Sequence, residues 1–360
     1  MSKGRKETLM KRRTSHYGPW AGVGTLLISL WIVLILLPKV SAETLSGMSR
    51  DMAECAKIED DSERLKCYDK ITGRESGDIE PAKESVGIPP EEKAEKPSYF
   101  SRLWELDEES RRGKYPVKMH RSNYVLPFTY NESPNVRAVR EADPDKDLKQ
   151  PEVTFQLSLK VKLWQDILNQ KMDLWFGYTQ RSFWQFYNFE DSSPFRETNY
   201  EPELLLNFRT DYNILGLRGR FVNLGFNHQS NGQSEPLSRS WNRVVVNFGF
   251  ERDPFCFLLK TWYRIPESAR DDDNPNIEKY LGYGEIWAYY FLKKHRFGLM
   301  LRNNLSFHAN RGALQAEWSF PLFKQIAGYL QYYVGYGENL LDYNHSVNRI
   351  GIGFILADWI

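Results

Sequence analysis

Residues 153–163 read V-T-F-Q-L-S-L-K-V-K-L, an apolar–polar alternation without a fault. Val153, Phe155, Leu157, Leu159, Val161 and Leu163 fall on one face of an extended chain, and Thr154, Gln156, Ser158, Lys160 and Lys162 on the other. Successive side chains of a strand point to opposite faces, so a period of two predicts a β-strand with one apolar and one polar face. The pattern recurs along the chain. Leu174, Phe176, Tyr178 and Trp184 share a face, and Pro202, Leu204, Leu206 and Phe208 oppose Glu201, Glu203, Asn207 and Arg209. Further on, Phe297, Leu299, Leu301 and Leu305 oppose Arg302 and Asn304, Leu314, Ala316, Trp318 and Phe320 oppose Gln315, Glu317 and Ser319, and Ile350, Ile352, Phe354 and Leu356 make a last apolar face. Tyr280–Tyr290 is ambiguous, with bulky residues on both faces.

Period-two alternation fits two architectures, a soluble sandwich with its apolar faces inward and a membrane barrel with them outward. Three features select the barrel. The chain opens with an export signal, it ends on Trp359–Ile360, and its runs approach the ~9–11 residues that a tilted strand needs to cross a bilayer. The runs number about twelve, an even count as bacterial barrels have. A mean hydropathy of −0.57 excludes a bundle of transmembrane helices but suits a barrel, in which only alternate residues meet lipid. An aromatic content of 14% agrees with interface girdles, and a formal charge of +1 gives no hint of nucleic-acid binding. The predicted fold is all-β: an antiparallel transmembrane β-barrel with a short helical N-terminal extension.

Residues 1–42 read as a signal peptide. Lys3, Arg5, Lys6, Lys11, Arg12 and Arg13 precede an apolar run over 21–37, and Val40-Ser-Ala42 places small residues for cleavage after Ala42. An uncleaved anchor is the alternative. Residues 43–72 are predicted to be a short helical periplasmic module, in which Cys55 and Cys67 suit a disulfide. Residues 73–114 are predicted to be a flexible linker, because 72–97 are rich in Glu, Lys, Pro, Gly and Ser. The barrel is expected over 115–360.

The candidate chemistry lies in residues 226–243, F-N-H-Q-S-N-G-Q-S-E-P-L-S-R-S-W-N-R. His228 and Ser230 stand two apart at the end of an alternating run, so they share a face with Val222, Leu224 and Phe226. A serine hydroxyl becomes a useful nucleophile when a base takes its proton, and histidine is the usual base. Asn242 opens the next run and shares its face with Val244, Val246, Phe248 and Phe250, so it can return beside His228 and orient it. Gly232 can bring a backbone N–H close to a developing oxyanion. These groups extend apolar faces; on a membrane barrel they would look outward at lipid, where a phospholipid ester sits. Arg239 and Arg243 are expected near lipid headgroups or as loop anchors, Asn199 and Tyr200 as interfacial residues, and Cys256 as an inert free thiol.

This sequence resembles the outer-membrane phospholipase A family. The resemblance rests on the block at 227–243 and on S-S-P-F-R-E-T-N-Y-E-P at 192–202, D-D-N-P at 272–275 and Y-G-E-N-L-L-D-Y-N at 336–344. It covers roughly residues 115–360. It implies a calcium-dependent phospholipase hydrolysing sn-1 and sn-2 acyl esters of phospholipids and lysophospholipids, with Ser230 as nucleophile, His228 as base and Asn242 as orienting group. It also implies calcium held by Gln233 and Ser238 of one subunit with Ser192 of the other, a further calcium position at Asp273, and activation by homodimerisation. The chain departs from the family pattern in two places. Gln233 stands where members commonly have Arg, which is harmless if the ligand is the backbone carbonyl. Ile360 replaces the usual terminal aromatic, which bears on assembly and not on fold. A passive outer-membrane channel, or a structural barrel without hydrolase activity, is the rival reading, since the same barrel would serve.

Overall fold

The computed structural model describes residues 54–72, 97–111 and 115–356. The expected signal peptide, most of the linker and the terminal Trp359–Ile360 lie outside the described residues. The chain divides into two compact units, 1–92 and 93–360. In the first, α1 (Asp61–Thr72) starts where Asp60 accepts the Ser62 and Glu63 backbone N–H groups, each at 2.9 Å. The Cys55–Cys67 disulfide joins this helix to the preceding turn, with Cα atoms 5.6 Å apart.

The second unit is a ring of strands. After the short β1 (Val117–Met119) come β2 (Tyr124–Asn131), β3 (Pro151–Trp164), β4 (Met172–Trp184), β5 (Phe195–Ile214), β6 (Leu217–Ser230) and β7 (Ser240–Arg252). They are followed by β8 (Phe255–Arg264), β9 (Gly284–Leu292), β10 (His295–Asn303), β11 (Gly312–Pro321), β12 (Ile326–Tyr336) and β13 (Ser346–Leu356). Each strand from β2 to β13 pairs antiparallel with the next, and β13 pairs back to β2, so the sheet closes on itself as a 12-stranded barrel. β1 lies beyond the end of β2 against the same strand, β3. Closure satisfies every edge, which lipid could not do.

The sidedness of β3 decides between the two architectures. Leu157 and Leu159 are 56% and 51% exposed, whereas Lys160 and Lys162 are each 2% exposed. A sandwich would bury the leucines. Here the apolar face is outside and the polar face lines the interior, as a bilayer demands. The interior charges are paired: Arg121 bonds Glu201 and Glu203, Lys260 bonds Glu285, and Arg296 bonds Glu317.

Two further segments fill the interior, and one corrects the expected linker. Tyr99–Trp104 forms a helix, α2, capped by Ser98, and belongs to the barrel unit. Phe100 packs edge-on against Phe221 with ring centroids 5.2 Å apart, and Trp104 against Trp175 at 5.8 Å. The Lys160 ammonium sits 3.3 Å from the Trp104 ring centroid. Buried Glu105 accepts from Lys162 at 2.7 Å and Lys118 at 3.0 Å. The linker prediction ended too late because 99–104 reads Y-F-S-R-L-W, a cluster of apolar residues that needs a core, joined directly to an acid- and proline-rich stretch that does not.

The second segment is the 337–345 loop between β12 and β13. Leu340 and Leu341 are buried, and the Asp342 carboxylate meets the Arg196 guanidinium at 2.7 Å, with Glu152 on the other side of Arg196 at 3.1 Å. Burial alone would raise the Asp342 carboxyl; Arg196 and the hydrogen bonds from Asn339 and Asn135 together outweigh it and hold the group below its ordinary value. The ambiguous 280–290 stretch also resolves. Helix α4 (Glu278–Leu281; α3 is Val136–Arg140) ends at Gly282 with φ +65°. β9 then turns Trp287 and Tyr289 onto the polar-face parity, where Tyr289 packs against Tyr99. Leu305, expected on the apolar face of β10, lies past its end with φ +54°.

Candidate active site

β6 and β7 are adjacent antiparallel strands, and their register sets His228 directly opposite Asn242 and Ser230 opposite Ser240. On the other flank Ser230 faces Tyr200 of β5. His228 Nδ1 and Asn242 Oδ1 are 2.9 Å apart. An amide oxygen only accepts, so in this contact Nδ1 carries the hydrogen and Nε2 presents its lone pair. His228, Ser230 and Asn242 are all half-buried, on the face whose other members, Leu224, Phe226 and Val244, are exposed. The imidazole, hydroxyl and amide therefore belong to the lipid-facing side, two residues of β6 bringing base and hydroxyl to one face. Among the described residues the Ser230 hydroxyl has no hydrogen-bond partner, so the structure joins His228 to Asn242 and does not bond Ser230 to His228.

Gly232 follows in the loop with φ +65° and is exposed. A Cβ there would stand 3.3 Å from the Tyr200 ring, so both backbone and space favour glycine. The loop doubles back so that Asn231 Oδ1 accepts the Arg239 backbone N–H at 3.0 Å.

The residues singled out as calcium ligands are brought together only in part. Ser238 Oγ donates to Asp273 Oδ2 at 2.8 Å, and the Ser240 backbone N–H donates to Asp273 Oδ1 at 2.8 Å. The Gln233 side chain turns back along the chain, its Nε2 donating to Glu197 Oε2 at 3.0 Å. Ser192 is exposed in the β4–β5 loop at φ +60° and shares no hydrogen bond with the other three. Among the described residues, no three His, Cys, Asp or Glu side chains cluster to hold a metal. Hydroxyl, amide and carboxylate oxygens form a donor set that suits a hard cation, and Ser238 with Asp273 fits as one side of such a shell.

Several expectations change. Arg243 is not near headgroups: it is buried on the polar-face parity, bonded to Glu201 at 3.0 Å and stacked 4.1 Å from the Trp241 ring. Asn199 is likewise buried, accepting the Leu340 backbone N–H, whereas Tyr200 is on the outer face. The parity rule that placed His228 also places Arg243 inside, since adjacent residues alternate. Cys256 is a buried free thiol. Sequence reasoning missed Glu267 and Arg264. Asn242 Nδ2 donates to Glu267 Oε1 at 3.3 Å, and Arg264 Nη2 donates to Glu267 Oε2 at 3.4 Å and to Asp272 Oδ1 at 2.6 Å.

Comparison with known proteins bears on this arrangement. The sequence profile of the family described as phospholipase A1 matches residues 100–356. A protein of Neisseria meningitidis serogroup B is 34% identical over 365 residues, spanning 90% of this chain and 94% of its own. The phospholipase A1 of Escherichia coli K12 is 40% identical over 237 residues, 66% of this chain and 80% of its own. The solved structure of outer membrane phospholipase A from Escherichia coli is 38% identical, with a TM-score of 0.64 over 69% of this chain and 95% of that one. A further structure of that protein is an asparagine-to-alanine active-site mutant. The Salmonella typhi outer membrane phospholipase, solved as a dimer with bound calcium, is 38% identical with a TM-score of 0.64, covering 70% of this chain and 95% of that one. Profile, relatives and barrel agree: the chain belongs to the phospholipase A1 family and is an outer-membrane β-barrel phospholipase.

Proposed function

We propose that Ser230 is the nucleophile, His228 the general base and acid, and Asn242 the group that orients His228. The observation that carries this reading is the His228–Asn242 hydrogen bond across β6 and β7, on the lipid side and two residues from Ser230. A phospholipid lying against Leu224 and Phe226 presents its acyl ester to the Ser230 hydroxyl. Ser230 Oγ bonds to the carbonyl carbon as His228 Nε2 takes the hydroxyl proton. The tetrahedral centre collapses, the glycerol oxygen leaves, and His228 returns the proton to it. Water then repeats the sequence on the acyl-serine, releasing fatty acid and free Ser230. The backbone N–H groups around Gly232 stabilise the oxyanion. Both sn-1 and sn-2 esters, and lysophospholipids, are substrates on this reading.

A neutral Asn supports imidazolium less than a carboxylate does, so the oxyanion must be met strongly elsewhere. Calcium, when bound, would supply positive charge beside the oxyanion. Ser238 and Gln233 of one subunit and Ser192 of a second copy would hold it, with a further position at Asp273. The calcium-bound dimer of the Salmonella typhi protein supports this, as does the exposed Ser192, which needs a partner to join the other donors. Dimerisation would then switch the enzyme on. Export is proposed to follow signal-peptide cleavage after Ala42, which N-terminal sequencing of the mature protein would check.

The test is phospholipid hydrolysis by refolded protein in detergent, with calcium or with chelator. Wild type with calcium is expected to hydrolyse, and Ser230→Ala or chelation to abolish hydrolysis. Undiminished hydrolysis by Ser230→Ala contradicts the proposal. Against the channel reading, α2 and the 337–345 loop occupy much of the interior, leaving a cavity of about 190 Å³ there.

A further inference from the structure

We infer that Glu267 is a positioning residue of the active site: it fixes which way round the Asn242 amide lies, and so keeps His228 in the tautomer that can accept the serine proton. This rests on the catalytic reading of Ser230, His228 and Asn242 given above. An asparagine amide has two ends of nearly equal size and opposite hydrogen-bonding sense. With Oδ1 toward His228, Nδ1 carries the hydrogen and Nε2 is a base. With the amide reversed, its NH2 would meet Nδ1, the hydrogen would move to Nε2, and no lone pair would face Ser230. The His228–Asn242 contact alone tolerates either state. What decides is the other end of the amide.

There the structure puts a carboxylate. Glu267 Oε1 lies 3.3 Å from Asn242 Nδ2, and an ionised carboxylate accepts but does not donate. It can face the NH2 end and not the carbonyl end. The position follows from strand geometry. β8 ends at Arg264, opposite Arg243, but the Ile265 backbone N–H still donates to the Asn242 carbonyl at 2.8 Å. Residue 265 thus lies opposite Asn242, and Glu267, two further on, returns to the same side. Its side chain is 18% exposed, so water competes little for it.

Arg264 holds Glu267 in turn. Its guanidinium, 11% exposed, reaches Glu267 Oε2 at 3.4 Å, Asp272 at 2.6 Å, Asn274 at 2.8 Å and Glu278 at 3.3 Å. One arginine therefore ties the carboxylate behind Asn242 to the loop whose next residue, Asp273, binds Ser238 and Ser240. The ordering running from that loop to the base passes through Arg264, Glu267, Asn242 and His228.

The test is a double-mutant cycle on the full-length protein refolded in detergent with calcium, with folding checked by thermal melting. Glu267→Gln offers either end to Asn242, so kcat should fall about 10-fold with KM unchanged, the scale on which lost outer-shell partners act. Asn242→Asp places two acceptor-only groups face to face. In that background Glu267→Gln can donate to the new carboxylate, and kcat should rise. A reversal of sign between backgrounds supports the positioning role, because a residue that only anchors the loop would act alike in both. An unchanged kcat, or a fall in both backgrounds, overturns it. Should Glu267→Gln fail to fold, the 15N spectrum of histidine-labelled wild type decides: a neutral His228 protonated on Nδ1 supports the inference and on Nε2 overturns it. If Ser230→Ala is inactive while Glu267→Gln keeps its kcat, only the positioning role fails. If Ser230→Ala retains activity, the catalytic reading beneath it fails.

Discussion

At the scale of single residues the site depends on hydrogen-bond sense more than on charge. Among the described residues Asn242 alone hydrogen-bonds His228 Nδ1, so in Asn242→Ala kcat should drop by about 10²-fold, the lower end of what general-base catalysis contributes. KM should change little, since Asn242 is not placed to bind the acyl chain; steady-state kinetics on a micellar substrate checks both. Gly232→Ala must adopt a positive φ and crowd Tyr200, costing roughly 1 kcal/mol locally, and should depress activity more than melting temperature. His228, Ser230 and Asn242 were legible because parity along two alternating runs fixes their side. Glu267 was not, because the strand ends at Arg264 and Pro266 interrupts the pattern before the chain regains the outer face. The Gln233–Glu197 bond joins positions 36 apart, and no local pattern encodes it.

At the scale of elements, the strands were readable and the segments filling the barrel were not. Alternation reports a strand's two faces, and it predicted β3, β11 and β13 closely. It says nothing about which loop folds inward. The block at 336–344 is one of those that carry the family resemblance, but the Asp342–Arg196 pair that buries it joins positions 146 apart, which no local pattern encodes. Removing Arg196 would leave Glu152 and Asp342 facing each other without compensation. Arg196→Met should cost about 3–5 kcal/mol, read as a lower unfolding midpoint in denaturant. The Asp342 carboxyl lies below its ordinary value when folded, so its contribution is present above the unfolded value of ~3.9 and is lost as pH falls through the folded one. Asp342→Asn should therefore be less stable than wild type at neutral pH, and that gap should narrow in acid. The other inward element, α2, makes a separate prediction. Trp104→Ala loses its contacts with Trp175, Phe221 and Lys160 and should cost about 3–5 kcal/mol. Deleting 97–110 should raise ion conductance in planar bilayers above that of the intact barrel.

At the scale of the whole molecule the arrangement is inside out. Ion pairs and aromatic residues line the interior, apolar residues of the other strand face such as Leu157, Leu159, Leu204 and Phe226 look outward, and the candidate catalytic groups sit on the outer surface with them. Leu159→Arg, on the lipid side of β3, should cost about 2–4 kcal/mol if it falls at the bilayer midplane. The sequence announced this sidedness through export and strand length, since alternation alone cannot tell a sandwich from a barrel. On the proposed reading, Ser192, which shares no hydrogen bond with the other expected calcium donors, would join them from a second copy. The central claim is that Ser230 is an activated nucleophile on the lipid face, and covalent labelling tests it most directly. Refolded protein with calcium would be treated with a long-chain alkyl sulfonyl fluoride, which forms a sulfonate ester with an activated serine as fluoride leaves, and its peptides mapped by mass spectrometry. One adduct on Ser230, lost in His228→Ala, is the expected result; an adduct on another serine, or equal labelling of Ser230 without His228, would contradict the account.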